Sequence, residues 1–330
     1  MTTAILLTGA NGQLGYELSR MLPHLGEVTS LDRQKLDLSK LEDIRKVIRS
    51  ARPNLIVNAA AFTAVDQAES NEAAARAINS VAPAVMAEEA KKIGATVVQY
   101  STDFVFDGTK STPYVEGDSP NPQNVYGKTK LEGERAIQHT GVPHLIFRTA
   151  WVYATRGRNF LLTVLRLATQ REELRIVQDQ VGTPTWSREI ARGTTEILAQ
   201  LFRRDGSAGG LEATTGVYHM TAGGETSRYD FAKAILEEAS KRGQTAPWFQ
   251  AATNNLPLLT RRVIPINTKE YPAPAHRPAY SVLSTARLAR TFHIQLPDWR
   301  EQLSAAFADR QVIPSDSLGG AAAANPKPSG

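Results

Sequence analysis

The stretch Ile5-Leu6-Leu7-Thr8-Gly9-Ala10-Asn11-Gly12-Gln13-Leu14-Gly15 decides the fold. The run from Ile5 to Thr8 is continuously apolar up to its last residue and reads as a strand buried on both faces, the mark of a parallel sheet covered by helices. The three glycines that follow are spaced Gly-x-x-Gly-x-x-Gly and open a segment of helical period over residues 12–22. Gly9 allows the tight turn, Gly12 lets the backbone approach a pyrophosphate at the helix N-terminus, and Gly15 lets helix and strand pack closely. Glycine strings also mark plain turns, so the weight of this one comes from the strand before it and the helix after it.

Outward from this loop, Val28-Thr29-Ser30-Leu31 reads as a second strand ending at Asp32. An acid so placed accepts hydrogen bonds from the adenosine ribose and favours NAD. Arg33 beside it pairs equally well with a 2′-phosphate and favours NADP, so both cofactors stay open. Asp37 and Leu38 are placed to frame the adenine. Residues 40–50 are helical in period, and Leu55-Ile56-Val57 is a third strand. It runs into Asn58-Ala59-Ala60-Ala61, whose small side chains let a cofactor lie against the backbone. One long helix is expected from Asn71 to Lys92, then a fourth strand from Thr96 to Tyr100, a polar loop over 107–122, a helix over 124–139 and a strand from His144 to Arg148.

This rhythm predicts an α/β fold: a Rossmann-type doubly wound parallel sheet with a smaller mixed α/β substrate lobe. Residues 1–150, with a return segment over about 178–216, are expected to form the NAD(P)-binding domain. Residues 151–177 and 217–310 are assigned to the lobe, and the low-complexity residues 311–330 to a disordered tail. The bulk numbers agree with such a protein. Apolar residues make up 42% and charged residues 22%, ordinary for a globular chain. Cysteine is absent, which excludes disulfides and thiolate chemistry and fits a reducing cytoplasm. The formal net charge of +5 is mild and scattered, so no nucleic-acid partner is expected. No apolar run reaches the roughly 20 residues of a membrane span, and the N-terminus lacks a basic signal region.

Tyr126 and Lys130, four residues apart, share one face of the helix over 124–139. Reduction of a carbonyl needs a proton donor opposite the hydride donor. A free tyrosine titrates at about 10, and a nearby cation pulls it toward the working range. Lys130 can supply that charge and also hold the nicotinamide ribose. The fourth strand runs on into Ser101-Thr102-Asp103, whose side chains stand at the carboxyl end where open α/β sheets bind ligands. Thr102 can polarise the substrate oxygen and Asp103 can hold a sugar hydroxyl, although both residue types also cap loops.

Taken in order, the Gly-rich loop, Asn58 to Ala61, Ser101-Thr102-Asp103 and Tyr126-x-x-x-Lys130 resemble the extended short-chain dehydrogenase/reductases. More narrowly, the chain resembles the dTDP-4-dehydrorhamnose reductase family over roughly residues 4–310. The segments that carry this are Val57–Asp66, Tyr100–Phe106, Asn124–Leu131, Phe147–Tyr153, Asp179–Thr185 and Arg277-Pro278. The resemblance implies NADPH- or NADH-dependent reduction of the 4-keto group of dTDP-4-dehydro-6-deoxy-L-mannose to dTDP-L-rhamnose. Tyr126 would be the proton donor, Lys130 its electrostatic partner, and Thr102, Asp103 and Phe104 substrate contacts. It also implies cofactor contacts at Gly9, Asn11, Gly12, Gln13, Leu14, Asp32, Arg33, Asp37, Leu38, Ala60, Ala61, Phe62, Thr63 and Tyr100, besides Tyr126 and Lys130. Trp151 would line the sugar pocket, unless it is an ordinary core aromatic, and Asn159 would meet the diphosphate, unless it caps a helix. An epimerase or dehydratase of the same superfamily, or a non-catalytic cofactor-binding subunit, are the rival readings.

The sequence also departs from the family. Some members bridge a dimer through Mg²⁺ on glutamates. Glu17 matches one such position, but Arg188 and Arg300 stand at the other two, and a guanidinium cannot ligate a hard cation. No metal site is expected, and the chain should be a monomer or a metal-independent dimer. Phe104 replaces a tyrosine and Tyr280 an asparagine.

Overall fold

The structure, a computed structural model, describes residues 3–202, 211–242 and 246–310. Its centre is a six-stranded parallel sheet: β1 (Thr3–Thr8), β2 (Gly26–Leu31), β3 (Leu55–Asn58), β4 (Thr96–Thr102), β5 (His144–Thr149) and β6 (Gly216–His219). The spatial order is β6-β5-β4-β3-β1-β2, so the chain leaves β1 to one side for β2 and returns on the other for β3. That reversal opens a crevice at the carboxyl ends of β1 and β3, where such sheets bind ligands.

Alternation along the strands builds two cores. Ile5, Leu7, Leu55, Val57, Val98, Tyr100, Leu145 and Phe147 point to one face, against helices α1 (Gln13–Met21) and α6 (Ser187–Leu201). Leu6, Ile56, Val97 and Ile146 point to the other, against α2 (Leu41–Ala51) and α3 (Ala82–Ile93). Helix α4 (Val125–Thr140) lies beside α3. A third core fills the lobe, where α5 (Phe160–Ala168), α7 (Arg228–Arg242) and α8 (Trp299–Ala308) meet around Tyr153, Trp186, Phe231, Trp248, Trp299 and Phe307.

Two expectations change. The helix expected from Asn71 to Lys92 begins at Glu72 but widens into a π-helical turn at Ala77–Val81. Pro83 has no N–H to give to the Asn79 carbonyl four residues back, so the ladder must loosen there. The strand expected over 217–220, placed in the lobe, instead pairs with β5 from Gly216 to His219 and closes one side of the central sheet. Its alternating Val217 and Tyr218 serve both sheet faces, which a short isolated run does not announce. The segment over 311–330, expected to be a disordered tail, lies outside the described residues, as do residues 203–210.

Candidate active site

The loop after β1 is shaped for close approach. Gly9 sits at φ +72°, and a Cβ there would lie 2.6 Å from the Ala60 nitrogen. A Cβ on Gly15 would fall 2.0 Å from the Gly9 carbonyl oxygen. Gly12 is the N-cap of α1 and has no capping side chain, so the first N–H groups of that helix are left for a ligand. Asp32 is already engaged: Oδ1 accepts from the Gln34 and Lys35 amides at 3.0 Å each, and Oδ2 from Asn11 Nδ2 at 2.9 Å. Asp37 caps Ser39, whose N–H and hydroxyl hold the Asp37 carboxyl below its usual range. Leu38 is buried in the core while also lining the crevice.

From this loop a cleft of about 1440 Å³ runs to the lobe. Pockets for one drug-sized ligand run to roughly 300–1,000 Å³, so this cleft is larger than a single such ligand needs. It is lined by Gly9, Asn11, Gly12, Gln13, Leu14, Asp32, Arg33, Ala60, Ala61, Phe62 and Thr63 on the sheet side. Tyr100, Thr102, Asp103, Phe104, Tyr126 and Lys130 line its middle, and Trp151, Asn159, Phe160 and Arg228 its lobe side. Every residue expected from the sequence to meet cofactor or substrate is therefore brought to one cavity.

A buried polar chain fixes the middle. Thr8 Oγ1 donates to Asn58 Oδ1 at 2.6 Å, and Asn58 Nδ2 to Gln99 Oε1 at 2.8 Å. Gln99 Nε2 reaches the Tyr100 carbonyl at 3.0 Å, and Lys130 Nζ donates to the same carbonyl at 2.6 Å. Burial holds Lys130 down to about 8, against the pull of the Glu134 charge. Glu134 and Arg148 form a fully buried pair, Nη2 to Oε2 at 2.7 Å, and Ser101 Oγ also donates to Glu134. Asn79, displayed by the π-helical turn, accepts from the Phe62 amide at 2.8 Å and donates to Phe62 O and Thr129 Oγ1. Helix α4 comes this close through two glycines: a Cβ on Gly127 would lie 2.1 Å from the Phe104 carbonyl oxygen, and one on Gly133 2.2 Å from that of Asn79.

Tyr126 stands between Thr102 and Phe104, its ring edge-on to Phe104 at 5.9 Å. Burial pushes its phenol up to about 12; the Thr102 hydroxyl lowers it, and the Asp103 charge raises it further. The lowering expected from Lys130 is not found: the ammonium is tied to the Tyr100 carbonyl, and burial of the ring sets the direction. A phenol so placed holds its proton until strong negative charge develops beside it, which suits a donor to a nascent alkoxide. Burial also raises Asp103 to about 6, offset in part by Ser281, Thr102 and the positive field of Arg228.

Trp151 holds a left-handed backbone, φ 45°, which strains a bulky residue. Its ring lines the cleft and also packs against the core cluster of Val105, Phe106, Tyr114 and Leu283. Asn159 is the N-cap of α5: Oδ1 accepts from Leu162 N at 3.1 Å, and Nδ2 is shared among Gln13 Oε1, Ala154 O and Arg156 O. Its amide is thus used within the fold, the capping role weighed from the sequence. Glu17 holds Arg188, with Nε to Oε2 at 3.1 Å, and Arg188 also reaches Asp309 at 2.8 Å. Arg300 lies over the Trp299 ring, and Tyr280 donates to Glu225. Arg228 and Asn79 were missed by sequence reasoning: one opens a helix like any surface charge, and the other sits inside a helical run.

A Gly-rich turn at the switch point of a parallel sheet, opening into a cleft with a tyrosine and a lysine one helical turn apart, defines a nicotinamide-dependent oxidoreductase of the extended short-chain dehydrogenase class. The comparisons narrow this. Residues 2–312 match the RmlD substrate binding domain family. The chain is 51% identical over 296 residues to the dTDP-4-dehydrorhamnose reductase of Burkholderia thailandensis, covering 90% of this chain and 95% of that one. It is 42% identical to the Escherichia coli K12 enzyme of the same name over 300 residues, 90% and 94% of the two chains. A dTDP-4-dehydrorhamnose reductase structure from Bacillus anthracis in complex with NADP superposes with a TM-score of 0.81 at 32% identity, covering 93% of this chain and 99% of that one. The chain belongs to the dTDP-4-dehydrorhamnose reductase family. Among the described residues, no helix is long and apolar enough to cross a membrane.

Proposed function

We propose that this protein reduces the 4-keto group of dTDP-4-dehydro-6-deoxy-L-mannose to give dTDP-L-rhamnose, with Tyr126 delivering the proton. The observation that carries the reading is the Tyr126 phenol in the middle of the cleft, against the Thr102 hydroxyl and one helical turn from Lys130. When bound, NAD(P)H supplies the hydride. The residues fit such a group: the glycine cradle leaves no room for side chains, α1 offers its free N–H groups, and Ala60 to Thr63 form a smooth wall. Lys130, fixed by the Tyr100 carbonyl, sets a positive charge beside the reacting region, where it stabilises the phenolate left by proton transfer. Thr102 orients the Tyr126 hydroxyl, and Asp103 and Trp151 bracket the hexose.

NADPH is the preferred donor in this reading, with NADH also accepted. Both Asp32 carboxylate oxygens are engaged within the loop, while Arg33 lines the adenosine end and can meet a 2′-phosphate. The test is consumption of NADPH and of NADH with enzymatically prepared dTDP-4-dehydro-L-rhamnose, with the product identified. Formation of dTDP-L-rhamnose with stoichiometric cofactor oxidation is expected. Cofactor binding with no net oxidation would instead favour an epimerase or a non-catalytic cofactor-binding subunit.

A further inference from the structure

Arg228 opens α7 and lines the lobe side of the cleft. Its guanidinium carbon lies 3.5 Å from the centre of the Trp151 ring and 5.1 Å from that of Phe160. Among the described residues, no hydrogen bond or ion pair reaches this group. The charges it feels are Asp103, which attracts it, and Arg277, which repels it; Arg277 is itself bound to Asp66 at 2.7 Å. Several effects oppose a cation here. Burial lowers Arg228 to about 9, a value that still leaves it charged at neutral pH. The first residue of a helix also stands at the positive end of the helix dipole, which favours anions and disfavours cations.

A guanidinium stacked face-on over an indole is fixed in its plane but keeps its N–H edge free. That edge is a planar fork matched to phosphoryl oxygens. The N-terminus of α7 adds partial positive charge on the same side of the cleft. The cofactor loop and Arg33 belong to the opposite, sheet side. An anion held by Arg228 therefore belongs to the ligand that lies against Trp151.

We propose that Arg228 binds the sugar-linked phosphate of the nucleotide-diphosphate substrate, using Trp151 as the platform that orients its guanidinium. This rests on the nucleotide-sugar reading of the cleft. Binding of dTDP and of dTMP to the NADP-loaded full chain, compared among wild type, Arg228→Met and Arg228→Lys, tests it. Arg228→Met should weaken dTDP about tenfold or more, as loss of a charge-assisted contact would. It should change dTMP by less than about twofold, because dTMP lacks the second phosphate. Arg228→Lys should recover part of the dTDP affinity, and it carries the same comparison should the Met variant not fold. Unchanged NADP affinity shows an intact cofactor side. Equal losses for dTDP and dTMP, or no loss for either, would overturn the proposal, and a wild-type protein that binds neither would overturn the nucleotide-sugar reading with it.

Discussion

The two sides of the cleft are built in opposite ways. On the sheet side, polar groups are buried and joined: Thr8, Asn58, Gln99, the Tyr100 carbonyl and Lys130 form one continuous chain, braced by the Glu134–Arg148 pair. On the lobe side, Trp151 holds a strained backbone, and Arg228 a charge stacked on that ring with no ion pair among the described residues. Beside the five-residue pair Glu173–Val177 and Arg262–Ile266, other strands there shrink to two residues, as at Val181–Gly182 and Thr226–Ser227. The difference separates two tasks. Proton and hydride chemistry needs atoms fixed in advance, whereas recognition of a charged sugar nucleotide leaves bonding capacity to be filled by the ligand.

The contrast can be broken most forcefully at the brace. Arg148→Met leaves Glu134 buried without its cation and should destabilise the protein by about 3–5 kcal/mol, read by denaturant titration. A loss under about 1 kcal/mol would show that the sheet side does not depend on its buried pair. Next in size is Tyr126→Phe, which should lower kcat by about 100-fold or more, with NADPH affinity changed less than about twofold. Smaller again is Arg33→Ala, which should raise KM for NADPH about tenfold and leave NADH nearly unchanged, since only NADPH carries the 2′-phosphate. Equal effects on both cofactors would remove Arg33 from that role.

The pH profile sharpens the same division. Lys130 is charged below about 8 in the free enzyme, so kcat/KM should fall as pH rises through that value and the cation is lost. Arginine stays protonated throughout this range, so in Lys130→Arg the alkaline limb should move up by more than one pH unit, whatever the remaining rate. An alkaline limb that stays in place would assign it to another group.

The same contrast explains what could be read in the sequence. β1, β3, β4 and β5 carry apolar runs on both faces, and the glycine loop and the Tyr126/Lys130 pair lie one connection from strand ends, so local pattern reveals them. The π-helical turn at Ala77–Val81 was not legible, because its cause, Pro83, reads as compatible with a helix start. Nor was the sheet membership of Gly216–His219, which depends on pairing with a strand about seventy residues earlier. Arg228 and the backbone of Trp151 acquire meaning only where two lobe elements cross, and two-residue strands leave no periodicity to follow.

The most direct measurement is a steady-state comparison of Tyr126→Phe and Trp151→Ala with NADPH and dTDP-4-dehydro-L-rhamnose. The division of tasks requires the tyrosine variant to lose kcat with little change in KM for the sugar nucleotide. It requires the tryptophan variant to raise that KM by about tenfold while keeping most of kcat. The reverse pattern, or a Tyr126→Phe enzyme that turns over at the wild-type rate, would contradict it.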